Sequence, residues 1–345
     1  MGLSRPSMNL RRPFLLFLGE ETRKPYIKTA MGLLQWRPED CIGQMHLRGG
    51  SVDIGLPNMT CETAVEQGAG SLVIGTASVG GGLPQNWIEP LCSALRTGLD
   101  VVSGLHTRLN DVPELAAAAA ASGSRIVDVR VPPENLPVGN GRNRTGRRLI
   151  TVGTDCAVGK KFTALCLVRE MEQAGFNVDF RATGQTGIMI AGQGIPIDAV
   201  VSDFLIGAAE TLSPNASASH WDIIEGQGSL FHPGYASVAH GLLLGSQPDA
   251  FVVCHEAGRD RIEEFEHYPT PSLSECIDTT RSTAAFTNPD AQCVGISINT
   301  SSLTAVQRDR CLKSAEEETG LPCVDPLTTG VGPIVDQIKS IFQGA

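Results

Sequence analysis

The chain has 345 residues, 41% of them hydrophobic and 19% charged, and a net charge of −10. This length favours two domains, and the composition is that of an ordinary globular protein. The negative charge argues against nucleic acid as a partner but leaves room for a local anion site. No apolar run approaches the roughly 18 residues that a membrane span requires, so no membrane partner is expected.

The ten cysteines are scattered, and none forms a Cys-x-x-Cys pair. A structural zinc site is therefore not predicted. No residue is assigned to a metal. Buried free thiols are typical of a reducing compartment, which predicts a cytoplasmic protein. A homo-oligomer is expected, with a dimer as the commonest form for such a protein.

Strand and helix signals alternate over residues 13–131, which predicts a Rossmann-like domain with a parallel, doubly wound sheet. The run Gly80-Gly81-Gly82 lacks the spacing of the dinucleotide fingerprint, so NAD binding is not predicted. The predicted strands are Phe14–Gly19, Ser71–Gly75, Asp100–Ser103 and Arg125–Val131, and the predicted helices are Lys24–Gln35, Thr60–Gln67, Gln85–Leu95 and Asp111–Ala121.

Residues 132–147 are rich in turn formers and charges, and they form the predicted linker. The second predicted domain, residues 148–345, is again α/β and doubly wound. Its predicted strands are Leu149–Val152, Asn177–Arg181, Trp221–Glu225, Ala250–Cys254, Cys293–Ile298 and Cys323–Val324, and its predicted helices are Lys160–Ala174, Asp203–Thr211, Phe231–Leu243, Ser272–Ala285, Ala305–Thr319 and Gly332–Phe342.

The first strand of this domain runs into a Gly-bounded loop, a Gly-Lys pair and a helix, which is the pattern of a phosphate-binding loop (P-loop). The spacing is one residue longer than usual, and Lys161 stands where an NTPase has the Ser or Thr that binds Mg²⁺. The loop is therefore suited to hold a phosphorylated group and poorly equipped to cleave one. The residues predicted to bind it are Gly153, Thr154, Asp155, Cys156, Ala157, Val158, Gly159, Lys160, Lys161 and Thr163.

Polar or glycine-rich segments follow five strands of this domain, where ligands of open α/β sheets bind. The glycines Gly184 and Gly187 are predicted to form turns. Glu225 and His255 follow the third and fourth strands, and together with His232 they are the candidate catalytic residues. The residues predicted to bind a substrate are Arg181, Gln185, Thr186, Gln227, Ser229 and Arg259.

The loop Gly153-Thr154-Asp155-Cys156-Ala157-Val158-Gly159-Lys160 resembles that of dethiobiotin synthetase, and Glu225-Gly226-Gln227-Gly228 is similar to that enzyme's Glu-Gly-Ala-Gly segment. With Thr183-Gly184-Gln185-Thr186-Gly187, these motifs more fully resemble a bacterial family of D-glutamate N-acetyltransferases. That family pairs a Rossmann-like N-terminal domain with a C-terminal P-loop domain, and the resemblance covers nearly the whole chain.

This resemblance implies acetyl-CoA as donor and a D-amino acid, foremost D-glutamate, as acceptor, in D-amino-acid catabolism. The phosphates of coenzyme A would occupy the P-loop, and Mg²⁺ is possible but not expected to be essential. Two other hypotheses stay open. One is an ATP-dependent ligase or carboxylase of the dethiobiotin synthetase type, with Thr163 or Asp155 holding Mg²⁺, and the other is a non-catalytic nucleotide sensor.

Overall fold

A computed structural model describes residues 8–76 and 81–342 of the chain. The chain folds into two compact units. The N-terminal unit contains the described residues up to Pro132 together with Gln185–Ala199, and the C-terminal unit contains Pro133–Gly184 and the described residues from Val200 onward.

The N-terminal unit is built on a five-stranded parallel sheet of order β2-β1-β3-β4-β5. Apolar side chains from the sheet and from the helices after β2, β3 and β4 form its core, with Phe17 packed edge-on against Trp87. The elements are β1 (Phe14–Gly19), α1 (Lys28–Trp36), β2 (Cys41–His46), α2 (Cys61–Glu66), β3 (Ser71–Ile74), α3 (Ile88–Arg96), β4 (Asp100–Ser103), α4 (Pro113–Ser122) and β5 (Ile126–Asp128).

Strand β2 was not predicted, because its sequence Cys-Ile-Gly-Gln-Met-His interrupts the apolar pattern. Gln44 is buried nevertheless, and its side chain finds partners within the unit: it donates to Asp53 and accepts from the backbone amide of Ile54. A polar side chain whose hydrogen bonds are satisfied internally can lie in a core strand at small cost.

The C-terminal unit is built on a six-stranded parallel sheet of order β13-β12-β9-β6-β8-β7, with an antiparallel hairpin, β10–β11, beside it. The elements along this half of the chain are β6 (Arg147–Gly153), α5 (Lys160–Gln173), β7 (Asn177–Arg181), α6 (Gln185–Ala191), α7 (Ser202–Leu212), β8 (His220–Ile224), α8 (Ala236–Ser246), β9 (Ala250–Glu256), β10 (Arg261–Ile262), β11 (Phe265–Pro269), α9 (Leu273–Ala284), β12 (Gln292–Asn299), α10 (Ala305–Thr319), β13 (Cys323–Val324) and α11 (Gly332–Phe342).

Both sheets confirm the predicted α/β, doubly wound class. Because all six strands of the C-terminal sheet are parallel, the polar segments that follow them meet at one edge. Strand β6 lies in the middle, between β9 and β8, so the loop after it is at the centre of that edge.

Helix α6 and the residues up to Ala199 pack within the N-terminal unit, a connection that the sequence did not indicate. The Thr29 and Thr186 hydroxyls are 3.1 Å apart, and Arg37 donates to the Ile190 carbonyl. The turn predicted at Gly187 is wrong, because this glycine lies inside α6. The helix predicted from Phe231 begins at Ala236 instead, after a turn that includes Pro233.

None of the helices in the described ranges is both long enough and apolar enough to cross a lipid bilayer.

Candidate functional site

The loop between β6 and α5 has the backbone geometry of a tight phosphate cradle. Its last residue, Gly159, has a φ of +102° as the N-cap of α5, a conformation that side chains disfavour. Ala157 is also left-handed, with a φ of +56°. The first backbone amide of the loop, that of Thr154, donates to the Cys254 carbonyl and so ties the loop to β9. The N-terminus of a 14-residue helix follows directly, where its dipole favours an anion.

Lys160 lies over this loop and is buried. Its Nζ donates to the Asp155 carbonyl at 2.8 Å. Burial lowers the pKa of the Lys160 ammonium below its ordinary value, because the charged form loses solvation. An anion bound in the loop would stabilise the charged form of Lys160 by supplying a counter-charge.

The Asp155 carboxylate is fully buried and holds three separate pieces of the site together. It accepts from the backbone amide of Cys156 at 2.6 Å, from Arg259 Nη1 at 3.0 Å and from the backbone amide of Glu263 at 2.8 Å. Arg259 also contacts Glu256 and Glu263. That Arg259 binds an acceptor stays a prediction. Its guanidinium forms ion pairs with carboxylates of the protein itself.

The two residues considered as alternative Mg²⁺ ligands are engaged within the protein. Asp155 is paired with Arg259, and the Thr163 hydroxyl donates to the Gly159 carbonyl and lies 2.7 Å from the Ser297 hydroxyl. Lys161, at the usual metal-binding position, places its Nζ 4.7 Å from the centre of the Phe162 ring. The Asp155 carboxylate and the Thr163 hydroxyl thus already bond within the protein, and the added positive charge of Lys161 suits a polyanion.

The Glu225 carboxylate holds the segment that follows β7 by hydrogen bonds to its backbone. Its Oε2 accepts from the backbone amides of Thr183 and Gly184 at 3.0 and 3.1 Å, and the Thr183 hydroxyl donates to the Glu225 carbonyl. Gln227 adds a bond from its Nε2 to the same hydroxyl. These contacts fix the segment where the chain leaves the C-terminal unit.

The segment after β8 packs against β6 at Gly226, whose backbone amide donates to the Thr151 hydroxyl. A Cβ at this position would lie 1.6 Å from the Thr151 carbonyl oxygen, so only glycine fits. Ser229 is buried and caps the following turn, where its hydroxyl accepts from the backbone amide of Phe231.

His232 is buried in that turn, between the rings of Tyr235 and Phe265. Its Nδ1 accepts from the backbone amide of Gly234 at 3.1 Å. A nitrogen that accepts carries no proton, so Nε2 is the protonated nitrogen of the neutral ring. One ring nitrogen of His232 lies within 4.8 Å of a carboxylate oxygen of Asp155 and of the Cys156 sulfur.

His255 is half-buried near the end of β9, and its Nδ1 lies 2.9 Å from the Thr154 hydroxyl. Burial lowers the pKa of the imidazole below its ordinary value, and the Arg259 charge lowers it further. The ring is therefore neutral at physiological pH.

Cys156, the one cysteine of the P-loop, is a protonated thiol at neutral pH. Burial raises its pKa to about 11, even though the Lys160 charge opposes this. A thiolate nucleophile is not available at this position.

Arg181 lies inside the sheet of the C-terminal unit, where it is 3% exposed. Its Nη2 pairs with Asp222 at 2.5 Å and with Asp179 at 2.9 Å. His220 also contacts Asp222, at 3.0 Å. Because the guanidinium has partners in its own sheet, the geometry gives little support to the prediction that Arg181 binds an acceptor.

Gln185 and Thr186, also predicted to bind substrate, belong to the N-terminal unit. The Gln185 amide, oriented to satisfy both neighbours, donates to the Gly104 carbonyl and accepts from Arg130. Thr186 contacts Thr29. Their role in substrate binding stays a prediction.

Within the C-terminal unit, the structure brings together the P-loop, Glu225 with Gln227, His232 and His255, as the sequence predicted for one sheet edge. It also adds contacts that the sequence did not indicate. One is the bond from the backbone amide of Glu263, in the hairpin, to Asp155, and the other is the contact between Thr154 and His255. No sequence motif indicates either contact.

A P-loop at the carboxyl edge of a parallel sheet, in a chain with a second Rossmann-like sheet, defines a P-loop protein of the doubly wound α/β class. Two family models match the chain: a domain of unknown function described as the DUF1611_N Rossmann-like domain, over residues 46–132, and the DUF1611_C P-loop domain, over residues 137–335. The chain belongs to the DUF1611 family.

Curated relatives cover nearly the full length. A D-glutamate N-acetyltransferase of Pseudoalteromonas sp is 45% identical over 328 residues, which are 95% of this chain and 99% of the relative. A D-glutamate N-acetyltransferase of Tritonibacter scottomollicae is 45% identical over 332 residues, 96% of this chain and 100% of the relative. The crystal structure of a DUF1611 family protein from Anabaena variabilis superposes with a TM-score of 0.87 at 34% identity, covering 95% of this chain and 99% of that one.

The buried pair of Arg181 and Asp222 generates a prediction about stability. Arg181→Met leaves the Asp222 carboxylate buried beside His220 without its main cation, so we expect the free energy of unfolding to fall by about 3–5 kcal/mol. Chemical denaturation measures this loss. The double variant Arg181→Met with Asp222→Leu removes both charges and should recover most of it. A single variant as stable as the wild type, but impaired only in use of the acceptor, would return Arg181 to the substrate site.

Proposed function

We propose that this protein is an N-acetyltransferase that moves the acetyl group of acetyl-CoA to the amine of D-glutamate. The observation that carries the proposal is the 45% identity, over nearly the whole chain, to two curated enzymes with that activity in their names. The proposed setting is D-amino-acid catabolism in the cytoplasm, with small molecules as substrates and a homo-oligomer as the working form.

The P-loop gives coenzyme A a suitable place for its phosphates. Loop amides other than those of Thr154 and Cys156, which bond within the protein, would hold the pyrophosphate together with the start of α5 and Lys160, and Lys161 is one residue further on for a second phosphate group. Acetyl transfer moves no phosphoryl group, so the reaction does not require Asp155 and Thr163 as metal ligands. Their hydrogen bonds within the protein therefore do not hinder it. The same bonds weigh against an ATP-dependent ligase, which needs those positions for Mg²⁺.

The transfer is direct in this proposal. The amine nitrogen attacks the thioester carbonyl, and hydrogen-bond donors at the carboxyl edge of the sheet stabilise the oxyanion that develops. Because the Cys156 thiol stays protonated at neutral pH, an acetylated cysteine is not an intermediate. A base must first take a proton from the acceptor ammonium, and Glu225, His255 and His232 are the candidates.

The activity itself is tested by release of the free thiol of coenzyme A. Incubation of the purified protein with acetyl-CoA and D-glutamate should release thiol at a rate that depends on both substrates. Isothermal titration with acetyl-CoA, ATP and ADP, with and without acceptor, separates the alternatives. Phosphate release from ATP would favour the ligase, and ligand binding without turnover over a panel of D- and L-amino acids would favour a sensor.

Lys160→Ala tests the role of the P-loop. Loss of a charge-assisted contact to phosphate costs about 1.5–3 kcal/mol, which corresponds to a KM for acetyl-CoA about 10 to 150 times higher. The KM for D-glutamate should change much less. Lys313→Ala, on the exposed face of α10, is the matched control and should leave both constants unchanged. Equal effects of Lys160→Ala on both substrates would show that the loop does not serve the coenzyme.

The direct mechanism predicts that no acetyl-enzyme accumulates. Intact-protein mass spectrometry after incubation with acetyl-CoA alone should show the unmodified mass, because the Cys156 thiol is not ionised at neutral pH. Ping-pong kinetics together with an acetyl adduct on Cys156 would contradict this.

A further inference from the structure

We propose that His255 is the catalytic base of the acetyl transfer and that the Thr154 hydroxyl is the residue that positions it. This inference rests on the proposed function and selects among its three candidate bases. It follows from the hydrogen-bond partner of each candidate rather than from proximity to the loop.

The partner of His232 prevents it from acting as a base at its other nitrogen. A backbone N–H can only donate, so the amide of Gly234 fixes Nδ1 as the acceptor and leaves the proton on Nε2. His232 can take up a second proton only by breaking that bond in a buried position. Its ring is built to donate from Nε2, not to accept.

The partners of Glu225 give it a structural task. Its Oε2 holds two backbone amides, those of Thr183 and Gly184. If the carboxylate became protonated, it would weaken both bonds at the point where the chain leaves β7. A base that must gain and lose a proton in every turnover is better placed where its protonation breaks no contact of the fold.

His255 has a different kind of partner. A hydroxyl donates and accepts, so Thr154 can give its proton to Nδ1 or take the proton of Nδ1 by a rotation about its own C–O bond. When Nδ1–H donates to Thr154, the Nε2 lone pair is free to accept. Among the described residues, no hydrogen-bond partner contacts Nε2.

The sheet register holds this pair together. Gly153 of β6 and Cys254 of β9 are paired in the parallel ladder, so the next residues, Thr154 and His255, lie side by side. The backbone amide of Thr154 donates to Cys254, and the Thr154 side chain is fully buried. The hydroxyl is therefore fixed in place, and it fixes the plane of the imidazole at 2.9 Å.

The charges around His255 keep it ready to accept. Burial and the positive charge of Arg259 lower its pKa, whereas Glu318 acts in the opposite direction. The net effect is a lowered pKa, so the His255 ring is neutral at physiological pH. Activity should rise as pH increases through this pKa and then stay level as far as His255 determines it.

The proton balance of the step is complete. His255 takes one proton from the acceptor ammonium, and the amine forms the N–C bond to the thioester carbonyl. As the C–S bond breaks, the second nitrogen proton leaves and the coenzyme thiolate becomes a thiol. One proton therefore ends on the thiol, and one passes from His255 to solvent.

The test compares Thr154→Val with Thr154→Ser. Valine keeps the shape and removes the hydroxyl, so we expect kcat to fall about tenfold while the KM for both substrates changes little. The acid limb of the pH profile should move to lower pH, because the imidazolium loses an acceptor for its Nδ1 proton. Serine restores the hydroxyl and should restore both kcat and the profile. His255→Gln should reduce kcat about 100-fold or more.

Thr211→Val is the matched control, since it removes a threonine hydroxyl that donates only to the Gly207 carbonyl of its own helix, and it should behave as wild type. Wild-type kcat and pH profile in Thr154→Val, or a Thr154→Ser variant as impaired as the valine variant, would overturn the inference. If Thr154→Val does not fold, an undiminished kcat in His255→Gln would overturn it. Absence of thiol release by the wild type would instead overturn the proposed function.

Discussion

The buried carboxylate of Asp155 is the group on which the arrangement of the site depends. It lies inside the P-loop, yet its partners come from the loop itself, from Arg259 after β9 and from the hairpin amide of Glu263. Without it, Arg259 would lose a fully buried counter-charge, and the hairpin would lose its bond to the loop. The pair is effective because the carboxylate is shielded from water and because two backbone amides also donate to it.

The same pair explains how this P-loop differs from one that cleaves nucleotides. In such an enzyme, acidic and hydroxyl groups near the loop are kept for a metal ion and its water. Here Arg259 forms an ion pair with the Asp155 carboxylate, and Lys161 follows Lys160, the lysine of the loop. The positive charge that a metal would bring is built into the chain, which suits a ligand that is only held by its phosphates.

Much of the fold could be predicted from the sequence, because apolar strands followed by glycine or polar residues mark parallel strands and their carboxyl edge. The P-loop and the positions of Glu225 and His255 follow from this order alone. Strand β2 could not be predicted, because the buried Gln44 is satisfied by residues that are close only in the fold. Nor does sequence order show that Arg181 pairs across the sheet with Asp222, since a cation at the end of a strand gives no sign of which anion it meets. The choice between His232 and His255 likewise depends on whether an amide or a hydroxyl faces Nδ1, which is a property of packing.

The passage of Gln185–Ala199 through the N-terminal unit has a consequence for the order in which the protein folds during synthesis. The chain up to Pro132 contains all five strands of the first sheet, but the contacts of Thr29 with Thr186 and of Arg37 with Ile190 can form only when the later residues have been made. A ribosome that has completed the first sheet therefore still carries an unfinished domain, which is completed only after β6, α5 and β7 of the second unit have left the exit tunnel. The two units are thus linked in assembly as well as in sequence, and an N-terminal fragment cut at the linker would lack a helix of its own unit.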